Sequence, residues 1–312
     1  MWFKNLQLYR LPSPWAADPG ALEQQLARAQ FQRCSASDLA SHGFVPPQAD
    51  GALLHSVGGQ WLIAFKTEQK LLPASVVNQV AADRAEEIEA QQGFKPGRKQ
   101  MKELKEAVTA ELLPRAFTRL RTTFAWIDPA GGWLAIDASS RSKAEAVLDL
   151  LHKTLDELPL KLLRTELSAT GAMAQWLAAG EAPPDFSIDR DCELKAADDE
   201  QAAVRYVRHP LEGEEIRNHL VAGKLPTRLA LTWHDRLSFV LTDDLEIKRL
   251  DFLAMEEEKS DADNPAERFD ADFALMSGEL RAFIPDLLAA LGGEPAAEGA
   301  PPAPAPALSR AA

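Results

Sequence analysis

Three carboxylates crowd one short run of the chain, Glu267-Arg268-Phe269-Asp270-Ala271-Asp272-Phe273. Oxygens at such spacing can hold a magnesium ion that activates water for phosphodiester cleavage. The same residues also suit the first turn of a helix, where acids meet the positive end of the macrodipole and Phe269 and Phe273 anchor a core at i and i+4. Other chemistry is poorly provided for. His42, His55, His152, His209, His219 and His234 never fall at H-E-x-x-H or H-x₃-H spacing, so no zinc site is expected. No G-x-x-x-x-G-K-[ST], no G-x-G-x-x-G after a strand and no G-x-S-x-G elbow occurs. Cys34 and Cys192 are too few for a disulfide framework and fit a reducing cytoplasm. We therefore expect no catalytic residue, no metal and no cofactor. A nuclease acting through Asp270 and Asp272 is kept as a rival.

A different chemistry is concentrated between Lys95 and Arg121. Lys95, Arg98, Lys99, Lys102, Lys105, Arg115, Arg119 and Arg121 stand there against Glu103, Glu106 and Glu111. The first five fall at spacings of three and four, so several share a helix face. Pro114 is expected to end that helix, after which Arg115, Phe117, Arg119 and Arg121 alternate as on one face of a strand. Guanidinium groups around an aromatic suit a nucleic-acid backbone, the charges on phosphates and the ring near sugar or base. The plainer reading is a solvated helix followed by a half-buried strand, with Phe117 in a core.

This basic stretch belongs to a chain whose formal net charge is −13. Residues 1–126 carry 15 Lys and Arg against 12 Asp and Glu, whereas 127–312 carry 19 against 35. A protein so charged would meet DNA through one restricted surface while its other faces repel it. A 46% hydrophobic content provides ample core for a globular protein. No run of 18 apolar residues suggests a membrane span, and the opening M-W-F-K-N-L-Q-L-Y-R-L alternates like a strand rather than a signal peptide.

The elements that must position these residues are those of an α+β protein, antiparallel hairpin sheets with interspersed helices and a projecting helical arm. Trp2–Leu11 reads as a strand, Leu22–Ala29 as a helix, Phe31–Cys34 as a brief strand, Ser37 as an N-cap and residues 43–47 as loop. Gly58-Gly59 signals a hairpin. Pro73 opens a long helix to about Gln92, and with the basic helix it forms an arm over about 73–113. A second hairpin turns about Pro129–Gly132, and Ser140 caps a helix from Lys143. Leu158–Arg164 suggests a strand, Met173–Ala179 a helix, Phe186–Leu194 and Ala203–Arg208 paired strands, and Glu214–Val221 a helix. Three strands follow at 228–234, 237–242 and 247–252, then an acidic loop at 255–264 and a final helix from Phe269 to Leu291. Residues 1–291 form the folded part, in several subdomains, and the Pro/Ala-rich 292–312 is expected to be a disordered tail.

The opening M-W-F-K-N-L-Q-L-Y-R-L, G-F-V-P-P at 43–47, L-L-P-R-A-F-T-R at 112–119 and E-R-F-D-A-D-F-A-L-M-S-G-E-L at 267–280 together resemble the recombination-associated RdgC family. The resemblance implies an α+β chain that pairs as a ring-shaped homodimer, with duplex DNA passing through a basic hole. It implies sequence-independent binding of double- and single-stranded DNA, restraint of RecA-promoted strand exchange and association with the nucleoid. By this resemblance Arg115 and Phe117 lie in the segment that joins protomers, and Phe117 is a dimer contact. Arg205–His209 falls on a basic segment at the other contact or near the hole, although Arg208-His209-Pro210 replaces a more lysine-rich stretch. The expected DNA-binding set is Arg98, Lys99, Lys102, Lys105, Arg115, Arg119 and Arg208, with Phe117 and His209 as dimer contacts. A further rival is a protein-only regulator that contacts the recombinase and uses its basic arm for an acidic partner.

Overall fold

The computed structural model describes residues 2–49, 51–198, 202–253 and 264–295. Its elements run β1 (Asn5–Arg10), α1 (Pro19–Ala27), β2 (Ala40–Val45), β3 (Leu54–Val57), β4 (Gln60–Leu71), α2 (Ala74–Gln92), α3 (Arg98–Leu112), β5 (Phe117–Asp128), β6 (Trp133–Ile136) and α4 (Arg141–Thr154). After these come β7 (Lys161–Leu162), α5 (Ala169–Ala179), β8 (Phe186–Ala196), β9 (Ala203–Tyr206), α6 (Glu214–Val221), β10 (Lys224–Trp233), β11 (Leu237–Thr242), β12 (Ile247–Phe252) and α7 (Pro265–Ala290). The fold is α+β with antiparallel pairing between the long strands. Two compact units divide it, Met1–Lys161 with Glu257–Gly278, and Leu162–Glu256 with Glu279–Ala312.

In the first unit β4 and β5 pair along their whole length, from Trp61 opposite Ile127 to Leu71 opposite Phe117. The other edge of β4 is shared by β3, along Gln60–Ile63, and β2, along Ala64–Gln69. Beyond β5 lie β6 and then β1. Gly58 and Gly59 both have positive φ, the conformation a two-residue hairpin turn demands, and they join β3 to β4. One sheet face carries Ile63, Phe65, Ala125, Ile127, Leu134 and Ile136 under α1 and α4. The side chains between them, including Leu62, Trp126 and His55, face the other way, where His55 meets Phe269 and Phe273 of α7 edge-on. The buried Trp126 indole donates to Gln60 Oε1 at 2.9 Å, and Gln60 in turn donates to Asp128 at 3.1 Å. A large ring is thus buried with its one polar atom satisfied.

In the second unit the order is β12-β11-β10-β8-β9. Phe186, Trp233 and Phe239 gather around Phe283 of α7, with ring centroids 4.9–6.4 Å apart in tilted or edge-on pairs.

Several expected elements are redrawn. The sequence G-F-V-P-P reads as a loop, but Ala40–Val45 is a strand, and Phe31–Cys34 is reduced to a single bridge of Gln30 to Phe44. Gly43 permits this arrangement, because a Cβ there would stand 2.4 Å from Phe31 Cα and 2.8 Å from the Ala29 carbonyl. The backbones lie that close because Phe44 donates to Ala29 O and Phe31 donates to Phe44 O. Ser37 lies in a turn at 36–37, and the strand expected over Leu158–Arg164 is only Lys161–Leu162. The helix expected from Met173 begins at Ala169, because Ser168 Oγ accepts from Gly171 N–H. Ser140 occupies the N-cap of α4, yet its hydroxyl makes no capping bond. The acidic loop and the tail expected at 255–264 and 292–312 lie almost wholly outside the described residues.

Gly43→Ala is expected to destabilise the protein by about 1–3 kcal/mol, since backbone rather than a flexible side chain occupies the space. Thermal melting against wild type checks this. An unchanged Tm would show that the 29–31 segment can move aside.

Candidate nucleic-acid interface

The arm expected from sequence is a hairpin of α2 and α3. Gly93, at φ 78°, ends α2, and the Gly97 N–H donates to Gln100 Oε1 at the start of α3. Buried Ala81, Ala85 and Val108 sit between the two helices, and Arg84 pairs with Glu111 at 2.6 Å. Arg98 and Lys99 occupy the first turn of α3, where the helix dipole disfavours cations, so helix stability does not explain their placement. Lys99 and Lys102 are 91% and 78% exposed and stand 4.0 and 3.7 Å from Glu103 and Glu106 at i+4. Such solvated pairs hold the side chains only weakly. Lys102 and Lys105 also border an apolar hollow of about 530 Å³ with Leu39 and Leu113.

Helix α3 ends at Leu112, and a short 3-10 turn over Leu113–Arg115 leads into β5, so Arg115 lies in the turn and not on the strand. Residues Phe117–Thr122 are exposed and Ala125–Asp128 are buried. The strand therefore leaves the covered core halfway along. Phe117 is 84% exposed, which overturns the core reading of this ring. Its register partner Leu71 is exposed too, so an apolar pair caps the free end of the β4–β5 ladder.

Arg119 and Arg121 project from the face that α4 covers farther along the sheet. Arg119 Nη2 donates to Gln69 Oε1 at 3.2 Å, and Arg121 bonds no other described side chain. With Thr67, Thr123, Ser142 and Lys143 they line a cleft of about 200 Å³ whose lining contains no acid. Sequence reading named Arg119 but neither Lys143 nor Ser142. Their approach depends on β5 lying beneath the start of α4, and no local pattern encodes that.

Arg208 and His209 belong to the second unit. Arg208 is exposed at φ 53° with its N–H on Asp191 Oδ1, and His209 Nε2 stands 3.5 Å from Glu215. Arg205, in the same segment, is committed to the buried Glu193, its Nε donating at 2.8 Å. Burial pushes the Glu193 carboxyl up, but the bonds from Arg205 and Thr227 outweigh it and hold the group below its ordinary range. The structure thus groups Arg98, Lys99, Lys102 and Lys105 on one helix and Phe117 and Arg119 on the adjoining strand, with Arg208 and His209 on the other unit.

The carboxylates near the start of α7 do not share the role expected of them. Asn264 Oδ1 caps the helix by accepting from Ala266 N–H, and Glu267 alone is an acid of the first turn. Asp270 lies farther along and faces His55, Oδ1 to Nε2 at 3.0 Å. Asp185, His234 and Asp286, which no sequence spacing brings together, converge with their ligand atoms within 4.8 Å of one another. Asp286 additionally accepts from the Trp233 indole at 3.0 Å, and all three side chains are 40–52% exposed. No helix among the described residues is long and apolar enough to cross a membrane.

Comparison with known proteins bears on the same residues. A family model described as "RdgC: Putative exonuclease, RdgC" matches residues 1–294. The chain is 58% identical to the recombination-associated protein RdgC of Dechloromonas aromatica, over 94% of this chain and 98% of the relative. Proteins of the same name from Herminiimonas arsenicoxydans and a Janthinobacterium species are 53% and 52% identical, over 95% and 94% of this chain and 99% of each relative. This acidic α+β chain with its concentrated basic arm and strand belongs to the RdgC family.

Proposed function

We propose that the protein is a non-catalytic DNA-binding homodimer acting in recombination, and that it restrains a RecA-type recombinase by occupying DNA. One observation carries this reading. Apart from the half-buried Lys105, the cations of α3 and the free half of β5 are exposed, adjoining in sequence and largely without buried partners, in a chain of net charge −13. Such a surface neutralises phosphates and reads no bases, so both double- and single-stranded DNA are substrates. Arg98, Lys99, Lys102, Lys105, Arg115 and Arg119 are the proposed contacts in the first unit and Arg208 in the second. The names of the relatives support the recombination role. The ring-shaped dimer, the site in the cytoplasm on the nucleoid and the antagonism of RecA are carried by the family resemblance and are part of the proposal.

The word exonuclease in the family description keeps a metal-dependent reading open, through Asp270 and Asp272. The close approach of Asp270 to His55 favours a structural role for that carboxylate.

Reversing Lys99, Lys102 and Lys105 to Glu should weaken binding to unrelated DNA sequences alike and flatten the slope of log K against log salt. A gel-shift salt titration reads both quantities. An unchanged slope would move the surface elsewhere. Magnesium-dependent degradation by wild type, lost in Asp270→Asn with Asp272→Asn, would replace the non-catalytic reading.

Phe117 is the proposed contact between protomers, with His209 at a second one. An exposed ring beside Leu71 is costly to solvate, and a covered interface aromatic contributes about 2 kcal/mol or more, roughly thirtyfold in a dimer constant. Phe117→Ser should leave circular dichroism unchanged, shift sedimentation toward the monomer and reduce inhibition of strand exchange more than DNA affinity. Wild-type sedimentation and inhibition in the variant would remove Phe117 from the interface.

A further inference from the structure

The arm is the obvious cationic feature, but the cleft between β5 and α4 is the better built one. On the arm, Lys99 and Lys102 face Glu103 and Glu106 with their side chains largely in solvent, and Lys105 is half-buried. Arg119, Arg121 and Lys143 instead converge on one concavity without an acid in its wall, and Thr67, Thr123 and Ser142 add hydroxyl groups. Two of the cations are already oriented, Arg119 by Gln69 and Lys143 by Ser139 Oγ at 2.6 Å. Orientation before binding lowers the entropy lost on contact.

The start of α4 adds to this. No side chain caps the helix, and Ser140 Oγ is instead within 3.2 Å of Ser142 Oγ. Lys143 and Ala144 N–H turn back onto Ser140 O, leaving those of Arg141 and Ser142 unpaired among the described residues. The helix is fourteen residues long, so its positive end is fully developed. A volume of about 200 Å³ accommodates a tetrahedral oxyanion with bridging waters, a liquid water occupying about 30 Å³.

We propose that this cleft is a phosphate seat, in which Arg119, Arg121 and Lys143 hold one phosphate of a nucleic-acid strand against the start of α4. The proposal rests on the DNA-binding reading and deepens it. The sheet face fixes the strand at one point, and the solvated lysines of the arm supply the diffuse remainder. Fork-shaped guanidinium groups grip two phosphate oxygens at once, whereas exposed ammonium groups act as point charges.

The test compares Arg121→Gln with Arg141→Gln, an exposed arginine of the same helix end that does not line the cleft. Both lose one charge. Arg121→Gln should bind duplex DNA roughly tenfold more weakly, the value of one charge-assisted hydrogen bond, and lower the salt slope by about 1. Arg141→Gln should change both far less. Ser142→Asp gives a second readout, because an acid in the first turn favours the helix while closing the seat. Its Tm should hold or rise as its DNA affinity falls.

Losses on covalently closed circles would assign the seat to internal phosphodiesters. Losses confined to 5′-phosphorylated linear DNA would assign it to terminal phosphates. If wild type binds DNA and Arg121→Gln and Arg141→Gln are equal, the seat is wrong and the DNA reading stands. If wild type binds no DNA, both are wrong.

Discussion

The long antiparallel pairing of β4 with β5 is the constraint on which the first unit depends. Its inner half, from Trp61 and Ile127 to Phe65 and Thr123, is covered by helices and makes the core. Along its outer half, out to Leu71 and Phe117, the β5 side chains are exposed. Backbone hydrogen bonds keep the outer half straight where burial no longer does. The β5 side chains there are consequently held in position without being buried, whereas Glu68 on the neighbouring strand is buried. That combination suits cations that must meet a partner in a fixed arrangement while remaining hydrated until it arrives. It also explains how Phe117 stands in water on a regular strand.

The same ladder separates two kinds of basic residue. On α3, lysines alternate with glutamates along the helix, and Lys99 and Lys102 lie largely in solvent, which favours electrostatic capture over fixed contact. On β5, arginines point into a cleft whose lining carries no carboxylate. Acids in this chain are often engaged in structure: Glu193 with Arg205, Glu279 with Arg236, Glu23 with the Leu53 and Leu54 amides. The excess of acid over base therefore coexists with a local field of the opposite sign.

Legibility in the sequence followed the range of the forces involved. Glycines at 58, 59 and 93, Pro73 and the alternation after Pro114 acted locally, and the hairpins, the arm and β5 were read from them. The strand Ala40–Val45 was missed because its pattern is polar and the reason for Gly43 lies in the backbone of Phe31, twelve residues earlier. The charge of Asp270 was visible, but its partner His55 is brought to it only by the packing of α7 on the sheet. Arg119 could be named as a site residue from its neighbours alone. Lys143 could not, since its relation to Arg121 exists only once α4 lies over β5.

The central claim is that DNA lies on the cationic face of the first unit. Duplex DNA carrying abasic sites forms Schiff bases with lysines in contact, and borohydride reduction fixes them for peptide mapping. The account predicts adducts at Lys99, Lys102, Lys105 and Lys143. Adducts confined to Lys195, Lys224 and Lys248 of the second unit, with none between residues 95 and 143, would contradict it.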